Sequence, residues 1–136
     1  MSYTNSEIVT AALAGKDATT STGNMSTEHK PFFLGRGHMP NAHAELMRSR
    51  REHITQIIYS YATPIAWHDD EHGWIIPNVR YSITTSSKHQ THLYRLHGRH
   101  ITLAWDATPE DAQRVLDGIM IFTTDNRGHV NGIKAA

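Results

Sequence analysis

The chain has 136 residues, with 13 Lys and Arg against 13 Asp and Glu, 11 His and no Cys. That length suits one domain, the balanced charge gives no bulk basicity for non-specific nucleic-acid binding, and the lack of cysteine excludes disulfides, thiolate zinc sites and a Cys nucleophile. No apolar run approaches the roughly 20 residues of a membrane span, and the first residues lack the basic-then-apolar order of a signal peptide, so the expectation is a soluble intracellular protein.

Thr4 to Ala14 reads as a short helix. Thr4 and Glu7 have capping-box spacing, and Gly15 is the stop. Ile8, Val9, Ala12 and Leu13 fall on one face. Lys16 to Thr27 then turns to Ser, Thr, Gly, Asn and Asp, a linker composition. Pro31-Phe-Phe-Leu34 is an apolar island, ended by Gly35-Arg-Gly37. Residues 1–40 are therefore expected to be a flexible N-terminal segment with one short helix, ahead of a single domain over 41–136.

Asn41 to His53 has good helix formers, a possible cap at Asn41 and a basic end at Arg48, Arg50 and Arg51. Ile54 to Tyr61 has strand composition. Pro64 cannot donate to a ladder and marks an edge or bulge, so Tyr59 to Trp67 reads as one strand with a proline step. Asp69 to Gly73 is a hairpin turn. Trp74 to Ile76 pairs back, Pro77-Asn78 breaks it, and Val79 to Thr84 is a third strand. Thr85 or Ser86 caps a helix that runs to about His97 and closes at Gly98. Arg99 to Trp105 is another strand. Thr108-Pro-Glu-Asp111 opens a helix to Asp117, stopped at Gly118. Ile119 to Phe122 is a last strand, with a turn at Asp125 to Gly128. The class is α+β: a small antiparallel β-meander with helices packed on one face.

Two phrases carry a resemblance. Tyr61, Thr63, Pro64, Ile65 and Ala66, then Tyr81, Ser82, Thr84, Thr85, Ser86 and His89, resemble an uncharacterised family of small actinobacteriophage proteins. Those proteins show a Tyr-x-Thr-Pro-Ile-Ala segment, a short hairpin, and a Tyr-Ser-x-Thr-Thr-Ser-x-His segment leading into a helix. Ser87 is one residue more than that pattern has. The resemblance spans the middle third of the chain. It implies a bacteriophage origin and action in the host cytoplasm, and it implies no activity.

Charge is unevenly placed. Arg80, Lys88, Arg95 and Arg99 cluster beside His89, His92, His97 and His100, and an acidic stretch follows from Asp106 to Asp125. The plain account is two solvated faces of opposite sign. Within the basic stretch, Thr84-Thr-Ser-Ser-Lys-His89 joins a strand to a helix start. Thr84, Thr85, Ser86, Ser87, Lys88 and His89, with Arg80, Arg95 and Arg99, are the candidate anion- or partner-binding residues. A simple helix cap is the competing account, and no Gly-Lys-Ser pattern makes this a P-loop.

Two His-x-Thr phrases, His53-Ile-Thr55 and His100-Ile-Thr102, resemble the signature of two-histidine phosphoesterases, in which histidines move protons and threonines hold phosphate. That makes His53, Thr55, His100 and Thr102 the alternative catalytic set, though their spacing is short for that family. His89 and His92 stand three apart on the expected helix and are a weak metal pair, and His68 and His72 flank three acids. No cofactor is expected. Trp67, Trp74, Tyr59, Tyr61 and Tyr81 cluster in the meander as core or cross-strand pairs, with base stacking beside Arg80 as the alternative.

The expectation for function is a non-catalytic accessory protein that binds a host macromolecule, a protein in the first instance. Nucleic acid or a nucleotide on the basic helix face is the alternative, and two-histidine hydrolysis the third.

Overall fold

A computed structural model describes residues 3–32, 37–79, 85–96, 100–125 and 130–136, with the backbone alone at Ser86. All of the expected Val79–Thr84 strand but Val79, which is not in a strand, the Gly98 stop, the end of the apolar island and most of the 125–128 turn lie outside the described residues.

The class is α+β, as expected. Helix α1 (Asn5–Leu13) begins at the anticipated capping box, where Thr4 N–H donates to Glu7 Oε1 at 3.0 Å and Glu7 N–H donates to Thr4 Oγ1 at 3.3 Å. Strands β1 (Ala18–Thr19) and β2 (Met25–His29) follow, then α2 (Asn41–Ser49) and a 3₁₀ turn at Arg51–His53. Three antiparallel strands come next: β3 (Ile54–Ser60), β4 (Thr63–Asp69) and β5 (Gly73–Asn78). A π-helical turn at Thr85–His89 and a 3₁₀ stretch at Gln90–Leu96 lead to β6 (His100–Ala104). Helix α3 (Pro109–Leu116) is capped by Thr108, whose Oγ1 accepts from Asp111 N–H at 3.1 Å. Strands β7 (Met120–Thr124) and β8 (Val130–Ala135) form a separate antiparallel pair.

Four details differ from expectation. First, the six-stranded sheet runs in the order β1-β2-β3-β4-β5-β6 and is mixed, because β6 pairs parallel to β5. Parallel neighbours require a crossover connection, here between Asn78 and His100. Second, helices cover both faces. Ile57 points into a core with Leu46 and Met47 of α2 and Ala112 and Leu116 of α3. Ile58 points the other way, to Ile8 and Val9 of α1 and to Leu93 and Leu96. Adjacent strand residues face opposite sides, so two neighbouring buried isoleucines require two covered faces.

Third, the first forty residues hold more structure than their composition suggested. Ile8, Val9 and Met25 have no exposed surface, and β2 pairs with β3 over its whole length. Thr27, one of the polar residues behind the linker reading, is buried and donates its hydroxyl to Ile57 O at 2.7 Å. Fourth, Tyr59 to Trp67 is a hairpin and not one strand. The chain reverses at Tyr61-Ala62, and Ser60 pairs with Thr63. Pro64 sits beside a register shift, the bulge that its missing N–H favours. Pro77 does not end its strand, which continues through Asn78.

Candidate functional site

Tyr61 of the first phrase and His89 of the second, both among the described residues, meet in space. At the tip of the β3–β4 hairpin, Tyr61 adopts φ 55° and donates its N–H to Asn24 O at 2.7 Å. This left-handed conformation is uncommon outside glycine and asparagine, and rarer still for a bulky residue. Gly37 closes against the same hairpin at φ 53°, and a Cβ there would run into the Thr63 hydroxyl and backbone. Beside it, His38 N–H donates to Thr63 Oγ1 at 3.0 Å.

Beneath the tip lies a buried polar cluster. Ser60 Oγ is 2.9 Å from Thr85 Oγ1 and 2.6 Å from His89 Nδ1. All three residues are buried. Burial lowers the His89 pKa below its ordinary value, and the nearby His92 charge adds to the effect. A neutral imidazole carries one donor and one acceptor nitrogen, which matches hydroxyl partners. Ser60 and His89 pair as a hydroxyl and a base would, yet neither is open to solvent. In this geometry they staple the hairpin to the 85–96 segment. Above them the Tyr61 ring packs at 5.7 Å and 53° to the His89 ring, with 52% of Tyr61 still exposed.

The candidate anion-binding residues divide accordingly. Thr85 and His89 turn inward, with Leu93 and Leu96 continuing the buried side. Ser87 and Lys88 are exposed, and the Lys88 carbonyl accepts from Asn5 Nδ2 at 3.0 Å. Arg95 is exposed but committed to α1, donating to Thr10 Oγ1 at 2.6 Å and Ser6 O at 3.3 Å. Arg80, Thr84, Arg99 and the Ser86 side chain lie outside the described residues. The segment is a π turn followed by a 3₁₀ stretch, where an α-helix was expected. Of the weak metal pair, His89 is buried against Ser60 and only His92 reaches solvent.

The structure does not bring the two His-x-Thr phrases together. They lead into β3 and β6, with β4 and β5 between, a separation of roughly 14 Å at about 4.8 Å per strand. His53 Nδ1 is engaged with Asp70 Oδ1 at 2.8 Å and Glu71 Oε1 at 3.1 Å. Thr55 Oγ1 meets His68 Nδ1 at 2.7 Å. His100 and Thr102 instead line a cavity of about 430 Å³ with Pro77, Ile121 and Phe122.

Two further features had no marker in the sequence. Asp69, with no exposed surface, accepts two hydrogen bonds from Arg50 at 2.9 Å each. Its Oδ1 also accepts from Glu71 N–H at 2.9 Å and His72 N–H at 3.2 Å. Burial alone would raise its pKa. The Arg50 hydrogen bonds, the Glu71 amide and the Arg50 and His72 charges outweigh that and hold it below the ordinary carboxylate value. Among the described residues, His43 is buried with Nε2 2.7 Å from Ala104 O and Nδ1 unpartnered.

A family model matches residues 9–115, most of the chain. The chain belongs to DUF8033, a family of unknown function. The DUF8033 match runs from α1 into α3 and so includes the hairpin tip, the Ser60–Thr85–His89 cluster and the Arg50–Asp69 pair, while β7 and β8 follow it. No curated protein and no solved structure matches the chain. Among the described residues, no helix is long and apolar enough to cross a membrane.

Proposed function

We propose that the chain is a small phage accessory protein that binds a host macromolecule without catalysis, through a surface centred on Tyr61, Ser87 and Lys88. Tyr61 carries the reading. A left-handed conformation costs a side-chain-bearing residue about 1–3 kcal/mol, and Gly or Asn would relieve much of it. A strained, half-exposed tyrosine at this tip supports a role at the surface, because tyrosine is among the residues that dominate interfaces. His89 braces one side of the ring. Lys88, next in sequence to His89 and exposed, supports an acidic patch on a protein partner. The phage origin and host-cytoplasmic site of action rest on the resemblance of the two phrases, whose Tyr61 and His89 meet here.

Nucleic acid is the second reading, favoured by Tyr94, which is 65% exposed in the segment that follows Lys88.

The test is Tyr61→Asn and Lys88→Ala in tagged protein exposed to host lysate. Tyr61→Asn is expected to keep or raise the melting temperature while losing the species that the unaltered protein captures. Lys88→Ala should weaken that capture increasingly as salt is lowered toward the unscreened limit. Capture that survives Tyr61→Asn unchanged would end this reading, and nuclease-sensitive capture would move it to nucleic acid.

A further inference from the structure

We propose that His53, Asp70 and Glu71 form a binding site for one divalent transition-metal ion of the zinc or nickel kind. The donors come from two elements. His53 ends the 3₁₀ turn before β3, and Asp70 and Glu71 stand in the β4–β5 turn. Asp70 N–H donates to His53 O at 2.8 Å, which joins the two backbones.

The donor spacings are close to those of a coordination shell, with the His53–Asp70 pair slightly shorter. His53 Nδ1 lies 2.8 Å from Asp70 Oδ1 and 3.1 Å from Glu71 Oε1, and all three donor atoms fall within 4.8 Å of one another. Ligands about 2.1 Å from an ion, at octahedral or tetrahedral angles, are roughly 3.0–3.4 Å apart. A single Nδ1–H can serve one oxygen well, yet this nitrogen faces two.

Charge gives a separate argument. Arg50 pairs with both Asp69 and Glu71, the latter at 3.4 Å, and one guanidinium against three carboxylates leaves an excess of negative charge beside the imidazole. A divalent ion offsets that excess. The imidazole donor favours zinc or nickel over magnesium or calcium, which prefer oxygen alone. Side-chain exposures of 36% for His53, 50% for Asp70 and 56% for Glu71 leave room for water to complete the shell. The site stands at the opposite end of β3 from Ser60 and Tyr61, roughly 20 Å away along the strand, so it is independent of the contact surface proposed above.

The experiment is calorimetric titration of chelator-treated full-length protein with ZnCl₂, NiCl₂ and MgCl₂. One zinc or nickel ion per chain is expected, with no saturable magnesium binding. His53→Gln, Asp70→Asn and Glu71→Gln should each weaken zinc by about tenfold or more, and His92→Gln should leave it unchanged. In the unaltered protein, Ni²⁺ should broaden the amide signals of residues 53 and 69–72 first, a readout that does not depend on any variant folding. The proposal is overturned by the absence of saturable binding at millimolar zinc, by broadening centred on other histidines, or by unchanged affinity in Asp70→Asn.

Discussion

Arg50 and Asp69 form a two-pronged ion pair, Nε on Oδ2 and Nη2 on Oδ1, both at 2.9 Å. The carboxylate has no exposed surface, while the guanidinium keeps a little. The pair ties the end of α2 to the β4–β5 turn. Removing the arginine strands a buried charge, so Arg50→Ala is expected to cost about 3–5 kcal/mol of unfolding free energy. Arg50→Lys should recover part of that loss, because one ammonium cannot meet both oxygens as a planar fork does. Urea unfolding of both variants checks the ordering.

Ser60 joins Thr85 and His89 beneath the hairpin tip. Ser60→Ala removes the hydroxyl that both of them meet, inside a water-poor site. The expected loss is about 1–3 kcal/mol. A double-mutant cycle with His89→Leu should show strong coupling, because the two changes remove one interaction. Independent, additive effects would show that the cluster is not a unit.

Burial holds the His43 pKa below its ordinary value, against the opposing pull of the Ala104 carbonyl. The folded state therefore binds a proton less readily than the unfolded chain. The stability linked to His43 is fully present above the unfolded value, about pH 6.5, and is lost as pH falls through the lower folded value. Melting temperature should decline with acidification below that point, and His43→Leu should flatten the decline. An unchanged slope in His43→Leu would assign the acid sensitivity elsewhere.

Ile8 lies fully buried between α1 and the sheet. Ile8→Ala is expected to cost about 2–5 kcal/mol, in the range of core truncations. Limited proteolysis under native conditions should leave residues 5–29 attached in the unaltered protein. In Ile8→Ala the same segment should become cleavable before the rest of the domain.

Local signals in the sequence were readable and distant ones were not. The Thr4/Glu7 capping box, the Thr108-Pro109 helix start, the Gly118 stop and the turn at Asp69 to Gly73 each depend on neighbours a few residues apart. The hairpin at Tyr61 was hidden because a tyrosine replaces the Gly or Asn that normally announces a left-handed turn. The adjacent pair Ile57-Ile58 did hold the clue to two covered faces, since alternation cannot bury both on one side. The Arg50–Asp69 pair and the meeting of Ser60 with His89 join residues 19 and 29 positions apart, and no short pattern encodes such partners. Composition misled at residues 16–27, where β1 and the first part of β2 pair into the sheet.

The parallel pairing of β5 with β6 also orders events in time. Strands β3 to β5 meet through tight turns and can zip within a small stretch of chain. β6 can join only after the long connection from β5 has closed, a larger closure that conformational entropy opposes. Until then β5 presents an unpaired edge, and the core on the α2 side lacks Leu103 and Leu116. During synthesis β3 to β5 emerge before β6 and α3 do. The exposed edge is the point at which nascent copies would pair with one another instead of with themselves.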